Sequence, residues 1–460
     1  MRWIVILPAV LCAAAVATFT RAVDGPPVRH VVLVSVDGLA ASYLDDPRAE
    51  MPTLRKLAKS GAVAKGMITS FPSVTWPSHT SLITGVQPAR HGVIGNSVWS
   101  RKLDRPVVYI GDPELTKDEA VRVPTLYDAA HRAGLKCGSV IWPCCNGADS
   151  LNWVIPDAGR ADLHAKYTTP GFVEELGKAG IDISQLGAWG WNKDRSTDRD
   201  VLYTRVAQYL LEKQKANLVL VHLVTPDGVE HNYGPHTPEA YKAVAESDQR
   251  IAEIWNTLQE PPLAGHSALF VVSDHGFAPY EKFIRPNVVL KELGLIEADE
   301  KDKVTIRKAW CVAQGGSAFI YVLDAGGKAE IVAHLSDRLT KLEGVAAVVG
   351  PDGFAKLGFP RPEANGESPD LVLMTNPGYS FAEQVTGEAV VSAGGLKGSH
   401  GHDPGPPYMH ATFVAAGTGL KPGVQLDLIQ NVDVAPTIAR LMGLALKDVD
   451  GRVLQEILVQ

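Results

Sequence analysis

Five cysteines in 460 residues are too few to staple a chain of this length, which excludes a disulfide-built fold. Cys12 falls in the first apolar run. Cys137, Cys144, Cys145 and Cys311 show no C-x-x-C spacing for a structural zinc, and the adjacent Cys144 and Cys145 do not pair readily with each other. One or two bridges stay open, and the four are read as buried or bridging residues. A strong excess charge is also missing: the net charge is −7 with no basic stripe, so there is no field for a nucleic-acid polymer and phosphate recognition must be local. P-loop, H-E-x-x-H and G-x-G-x-x-G motifs are absent, which leaves ATP-driven, zincin and nicotinamide chemistry without a footing. Low-complexity tracts and internal repeats are absent too.

What is present begins with MRWIVILPAVLCAAAVATFTRAVDG, one Arg ahead of an apolar run that ends in small residues. This is the pattern of a cleaved export signal, read here as residues 1–22 with the mature start in the range 18–25. An uncleaved anchor is the competing reading, but the run is short for a span and contains Pro8. No other stretch is long enough to cross a bilayer, and the mature protein is expected to be periplasmic or extracellular.

Four runs are almost uniformly apolar and β-branched: RHVVLVSVD (29–37), ANLVLVHLVTPD (216–227), SALFVVSDHG (267–276) and HATFVAAGTG (410–419). Short runs of this kind are strands buried on both faces. Helical spacing fills the segments between them, as in MPTLRKLAKSG, DRDVLYTRVAQYLLEKQKA and TPEAYKAVAESDQRIAEIWNTLQE, often with Pro in the first turn or Gly at the end. The alternation predicts an α/β fold with a mostly parallel central sheet sandwiched by helices. Residues 283–394 break the rhythm and read as a small inserted α+β subdomain, leaving 23–282 and 395–460 as the core.

Three of the four strands end in an acid: Asp37, Asp227 and Asp274. Ligands of open α/β sheets bind beyond the carboxyl ends of the strands, so these carboxylates converge and need a polycation to relieve their repulsion. His231 follows Asp227 by four residues, a spacing that turns both to one point on a helix. His275 adjoins Asp274 where Gly276 permits the chain to turn, and His400 sits in the glycine-rich GLKGSHGHDPG. Carboxylate and imidazole without thiolate suit catalytic zinc and are compatible with manganese or iron. A lone Asp after a strand is more often a cap or turn residue; it is the coincidence of three with spaced histidines that favours a metal site.

A nucleophile is expected in TSFPSVTWPSHTSLITGVQPARHGVIGN (69–96). Thr75 lies between Pro72 and Pro77, at the start of the helix that SHTSLITG predicts, where an anionic oxygen is stabilised. Composition does not choose between Thr75 and the neighbouring Ser73 or Ser78.

These blocks, VSVDG, FPSVTWPSH with TGVQPARHGVIGN, PDGVEHNYGP, SDHG and GSHG, occur in an order that resembles the alkaline phosphatase superfamily, and within it the nucleotide pyrophosphatase/phosphodiesterase (type I phosphodiesterase) group. The resemblance spans nearly the whole core. It implies an alkaline-phosphatase-like fold and two zinc ions, with Asp37, Thr75, Asp274 and His275 around one and Asp227, His231 and His400 around the other. It makes Thr75 the attacking group, puts the Asn96 amide against a phosphate oxygen, and gives Trp76 a stacking role on the substrate. Glu230, where the group commonly has Gly, and His402-Asp403-Pro404 depart from its pattern and bear on the shape of the substrate pocket.

The chemistry so implied is hydrolysis of phosphate diesters or nucleotide pyrophosphates by double displacement through a phospho-threonine, with paired metals stabilising the apical oxygens. A monoesterase of the superfamily carries a Lys and Arg pair after the nucleophile block. Here LKCGSVIWPCCNGADSLNW has no Lys-x-Arg and its WP resembles the diesterase group, although Lys136 keeps a phosphate monoesterase or phosphonate hydrolase open. A sulfatase is excluded because neither Cys144 nor Cys145 begins a C/S-x-P-x-R block. The alternative of another class is a non-catalytic metal-binding exported protein. The expected partner is a small phosphate ester.

Overall fold

The apolar runs pair as strands because each offers a backbone edge and two dry faces. In the computed structural model, residues 28–112, 115–190, 192–299 and 303–459 are described, and the expected export signal lies outside them. Among these residues the strands form an eight-stranded sheet ordered Val424–Gln430, Ala62–Ile68, Phe413–Gly417, Ser267–Val272, His30–Val36, Leu218–Leu223, Cys137–Val140 and Trp153–Ile155. His30–Val36 pairs in parallel with both neighbours, and Val36 opposite Leu223 and Ser35 opposite Val272 bring three strand ends to one level.

Alternate residues of the central strand serve different layers. Val32, Val34 and Val36 pack with Val206 and Leu210 of helix Ser196–Glu212 and Ile251 and Ile254 of helix Pro238–Gln259. Val31 and Leu33 pack on the other side with Leu82 and Ile83 of helix Thr75–Thr84 and Ile438 of helix Val434–Leu441. Burying each such side chain contributes roughly 1.5–3 kcal/mol, the stabilisation against which the buried acids at the sheet's edge are held. Local signals act as expected: Thr237 caps the helix that Pro238 opens, its Oγ1 accepting from Ala240 at 3.3 Å.

The fourth apolar run departs from the parallel rule. Phe413–Gly417 is antiparallel to both of its neighbours. The chain reaches it from His400 without a crossing helix, so it enters at the carboxyl end of Ser267–Val272 and runs back.

Residues 309–375 form a second sheet, ordered Ala309–Ala313, Ser317–Val322, Leu371–Thr375 and Val345–Val349, with helix Lys328–Thr340 on it. A three-stranded sheet of Gly378–Phe381, Ala278–Ile284 and Val390–Ser399 joins this unit to the core and delivers His400. Cys137, Cys144, Cys145 and Cys311 are buried free thiols. Among the described residues no helix is long and apolar enough to cross a membrane.

Candidate metal and catalytic site

Asp37 is the first residue after His30–Val36, its N–H held by the Leu223 carbonyl at 2.8 Å. Gly38 follows at φ +76°, where a Cβ would lie 2.6 Å from Phe277; its N–H donates to Asp274 Oδ1 at 3.1 Å, tying two strand ends together. At Gly276 the constraint is close approach, since a Cβ would stand 2.3 Å from the Tyr408 carbonyl. His275 directs Nδ1 to the Gly276 carbonyl at 3.2 Å, which puts the hydrogen there. Its bare Nε2 is then 3.3 Å from both Asp37 Oδ1 and Asp274 Oδ2.

A second cluster sits beside the first. Asp227 and His231 share a face of helix Thr225–Tyr233, and His231 Nδ1 lies 3.1 Å from the Gly398 carbonyl, leaving Nε2 facing Asp227 Oδ1 at 3.2 Å. His400 Nε2 lies 3.5 Å from the same oxygen. The His275 and His400 rings stack at 3.9 Å, so the clusters are adjacent. The structure therefore brings together all six expected His and Asp ligands, as Asp37 with Asp274 and His275, and Asp227 with His231 and His400.

Acceptors face acceptors throughout this site. Asp37 Oδ1, Asp227 Oδ1, Asp274 Oδ2 and His275 Nε2 are buried without a hydrogen-bond partner. Burial, then the Asp227 charge, drives the Asp37 carboxyl well above the ordinary range, and burial followed by Asp37 does the same to Asp274. Burial also raises Asp227, but His231 and His400 outweigh it and its carboxyl falls well below that range. Burial and the neighbouring His231 depress His400 to about 3, and burial and His400 push His275 well down. Neutral imidazoles and crowded carboxylates are the groups that a divalent cation satisfies together.

Thr75 opens helix Thr75–Thr84 and lines a cleft of about 280 Å³ together with Asn96, Trp76, Asp37, Asp227, His231 and His400. Asn96 Oδ1 accepts from the Trp76 N–H at 2.8 Å. Trp76 is only 2% exposed and its ring packs on Tyr109 at 5.6 Å, so most of its surface is already covered by protein. A larger cleft of about 460 Å³ between Arg90 and Lys447 contains none of these groups.

Sequence reasoning missed four residues. Asp157 follows strand Trp153–Ile155 and lines the cleft as a fourth acid at a strand end. His222, inside Leu218–Leu223, puts Nε2 3.0 Å from Asp37 Oδ2. His79, one turn into helix Thr75–Thr84, places Nδ1 2.8 Å from the Thr75 carbonyl and 3.6 Å from Asp274 Oδ2. Gln314 reaches from the second sheet, its Oε1 accepting from Asn96 N–H at 2.9 Å and its Nε2 donating to the Ser97 carbonyl at 2.7 Å. Of the atypical residues, buried Glu230 accepts from Tyr43 OH at 2.7 Å, and His402 meets Thr375 Oγ1 at 3.2 Å.

Comparison with known proteins gives one consistent answer. The family model described as type I phosphodiesterase / nucleotide pyrophosphatase matches residues 31–403. Human ectonucleotide pyrophosphatase/phosphodiesterase family member 1 is 26% identical over 438 residues, 92% of this chain and 40% of that protein, so the chain spans about two-fifths of its length. Human family member 7 is 23% identical over 451 residues, covering 96% of this chain and 88% of the relative. The solved structure of murine ectonucleotide pyrophosphatase/phosphodiesterase 5 superposes with a TM-score of 0.67 at 18% identity, over 93% of this chain and 100% of that one. An inactive form of the same murine protein, in complex with AMP, matches with the same score.

Proposed function

Because the chain belongs to the type I phosphodiesterase / nucleotide pyrophosphatase family, we propose that it is an exported two-zinc hydrolase of phosphate diesters or nucleotide pyrophosphates, acting through a phospho-threonine at Thr75. One observation carries the reading: two adjacent sets of carboxylate and imidazole groups, with Asp37 Oδ1, Asp274 Oδ2, His275 Nε2 and Asp227 Oδ1 buried without a hydrogen-bond partner, meet at a cleft that Asp37, Thr75, Asp227, His231 and His400 line.

The donor set fits zinc and shares its chemistry with manganese or iron. Asp37, Asp274, His275 and the Thr75 hydroxyl would hold one ion, and Asp227, His231 and His400 the other. Bound there, the pair supplies a lowered hydroxyl pKa and positive charge for the entering and leaving oxygens.

The protein's own part is orientation. The helix start fixes the Thr75 hydroxyl for in-line attack on phosphorus. Asn96 has its Oδ1 occupied by the Trp76 N–H, which leaves the amide NH2 to donate to a non-bridging phosphate oxygen. His231 and His275 hold their ring hydrogens on backbone carbonyls, which leaves Nε2 of each free to serve as a ligand and assigns neither a proton-transfer role. The attack breaks the bond to one alcohol or phosphate group, which leaves, and water then releases the remaining half from Thr75 as a phosphate monoester. The cleft wall contains no Lys or Arg among its described residues, which favours a diester or pyrophosphate over a monoester. Residues 283–394 are proposed as an inserted subdomain that closes the Asn96 side of the cleft through Gln314.

A turnover screen of zinc-loaded protein against aryl monoesters, aryl diesters, dinucleotides and phosphonates, with elemental analysis alongside, tests the reading. Full activity in metal-free protein removes the two-zinc site, and a monoester preference of orders of magnitude removes the diesterase assignment.

A further inference from the structure

The cleft holds one carboxylate that neither metal cluster uses. Asp157 follows the edge strand Trp153–Ile155 and lines the same wall as Thr75 and Asn96. It is 2% exposed, and among the described residues neither of its oxygens has a hydrogen-bond partner. The guanidinium of Arg199 attracts it from a distance while donating to the Gly190 and Asn192 carbonyls and to Ser196 Oγ. Burial raises its carboxyl pKa to about 7, against the pull toward the charged form of His222, whose Nε2 meets Asp37, and of Arg199. The Trp76 indole N–H is a side-chain donor turned to it, and once ionised a carboxylate so buried acts on the cleft through space, strongly because little water screens it.

We propose that Asp157 is a charge filter: its carboxylate makes the site favour a phosphoryl group with one negative charge over a phosphoryl group with two, and so selects diesters against monoesters. The inference rests on the phosphoester-hydrolase reading above and deepens it. A diester presents one charge and a monoester about two, so a fixed negative charge beside the phosphorus repels the monoester about twice as strongly in ground and transition state. Among the described residues of the cleft wall no Lys or Arg offsets that repulsion, and Asn96 contributes only a neutral amide. This is specificity by a repulsive element, which costs the favoured substrate less than the rejected one.

The test compares metal-loaded wild type with Asp157→Asn and Asp157→Ala on an aryl diester and the matching aryl monoester, at a pH above the Asp157 pKa of about 7. Both variants are expected to raise the monoester-to-diester ratio of kcat/KM by about ten-fold or more, and to bind inorganic phosphate more tightly in calorimetry, while Asp157→Glu keeps the wild-type ratio. Since the ratio is taken within one preparation, it does not depend on how much of a variant folds. A ratio that stays at the wild-type value in Asp157→Asn, or diester turnover that falls in step with monoester turnover, overturns the filter. A wild-type protein that turns over neither ester overturns instead the reading beneath it.

Discussion

The Trp76 backbone N–H donates to Oδ1 of Asn96 at 2.8 Å, binding the first turn of helix Thr75–Thr84 to the residue proposed to face the phosphate. The contact decides which end of the amide is free for substrate. Asn96→Ala is therefore expected to lower kcat by about 10²–10³-fold with little change in KM, the loss typical of one oxyanion donor. Steady-state kinetics on an aryl diester check this, and wild-type kcat in the variant would remove Asn96 from the reaction.

Thr75 is the one cleft residue whose loss should abolish turnover without emptying the site, because six other side chains supply the remaining donors. Thr75→Ala is expected to lose at least about 10³-fold in kcat while metal content stays at two ions per chain. Elemental analysis beside a turnover assay separates this outcome from the non-catalytic metal-binding alternative, in which the wild type also lacks turnover.

Glu230 links the second cluster to the helix Ser42–Asp45 through Tyr43. Burial raises its pKa from the ordinary 4.5 to about 8, against the opposing hydrogen bond from Tyr43. A carboxyl raised in the folded state keeps a proton that the unfolded chain releases, so its contribution is complete below 4.5 and is lost as pH rises toward 8. Glu230→Gln keeps an acceptor for Tyr43 and has no proton to lose. Its melting temperature, relative to that of wild type, is expected to be lowest below pH 4.5, to gain progressively as pH rises toward 8 and to level off above it, read by calorimetry across that range. Parallel curves for the two proteins would show that Glu230 stays ionised when folded.

The legible part of this fold was the part written in continuous apolar runs. Asp37 and Asp274 declared themselves because each follows closely on such a run, and a parallel sheet presents those ends on one side; Asp227 closes its apolar segment too, but from the first turn of helix Thr225–Tyr233 beyond strand Leu218–Leu223. Asp157 closes a strand of three residues at the sheet's edge, too short to stand out from VIPD as a turn. His79 lies in a helix buried on every side, where no polar face marks it, and His222 reads as an interruption within a strand. Trp76 shows the limit differently: sequence cannot separate a ring that stacks on substrate from a ring that packs on Tyr109. Gln314 meets Asn96 across 218 residues, a pairing set by tertiary closure and by no local pattern.

Gln314 also provides the sharpest separation of catalysis from metal binding. Its side chain holds Asn96 and Ser97, while its carbonyl stands 1.7 Å from where a Cβ on Gly401 would be, against the loop that carries His400. Gln314→Leu leaves the half-buried Asn96 N–H without its acceptor, a loss of about 1 kcal/mol. It should lower the melting temperature and kcat together while both metals stay bound. Gly401→Ala strikes the other half of the same contact. At φ +79° an alanine is strained as well as blocked, so the loop must move and take His400 with it. That variant should lose affinity at the Asp227, His231 and His400 cluster first, seen as one ion per chain under a competing chelator. If both variants lost metal to the same extent, the two arms of Gln314 would be a single structural brace and the assignment of Asn96 to the phosphate oxygen would lose this support.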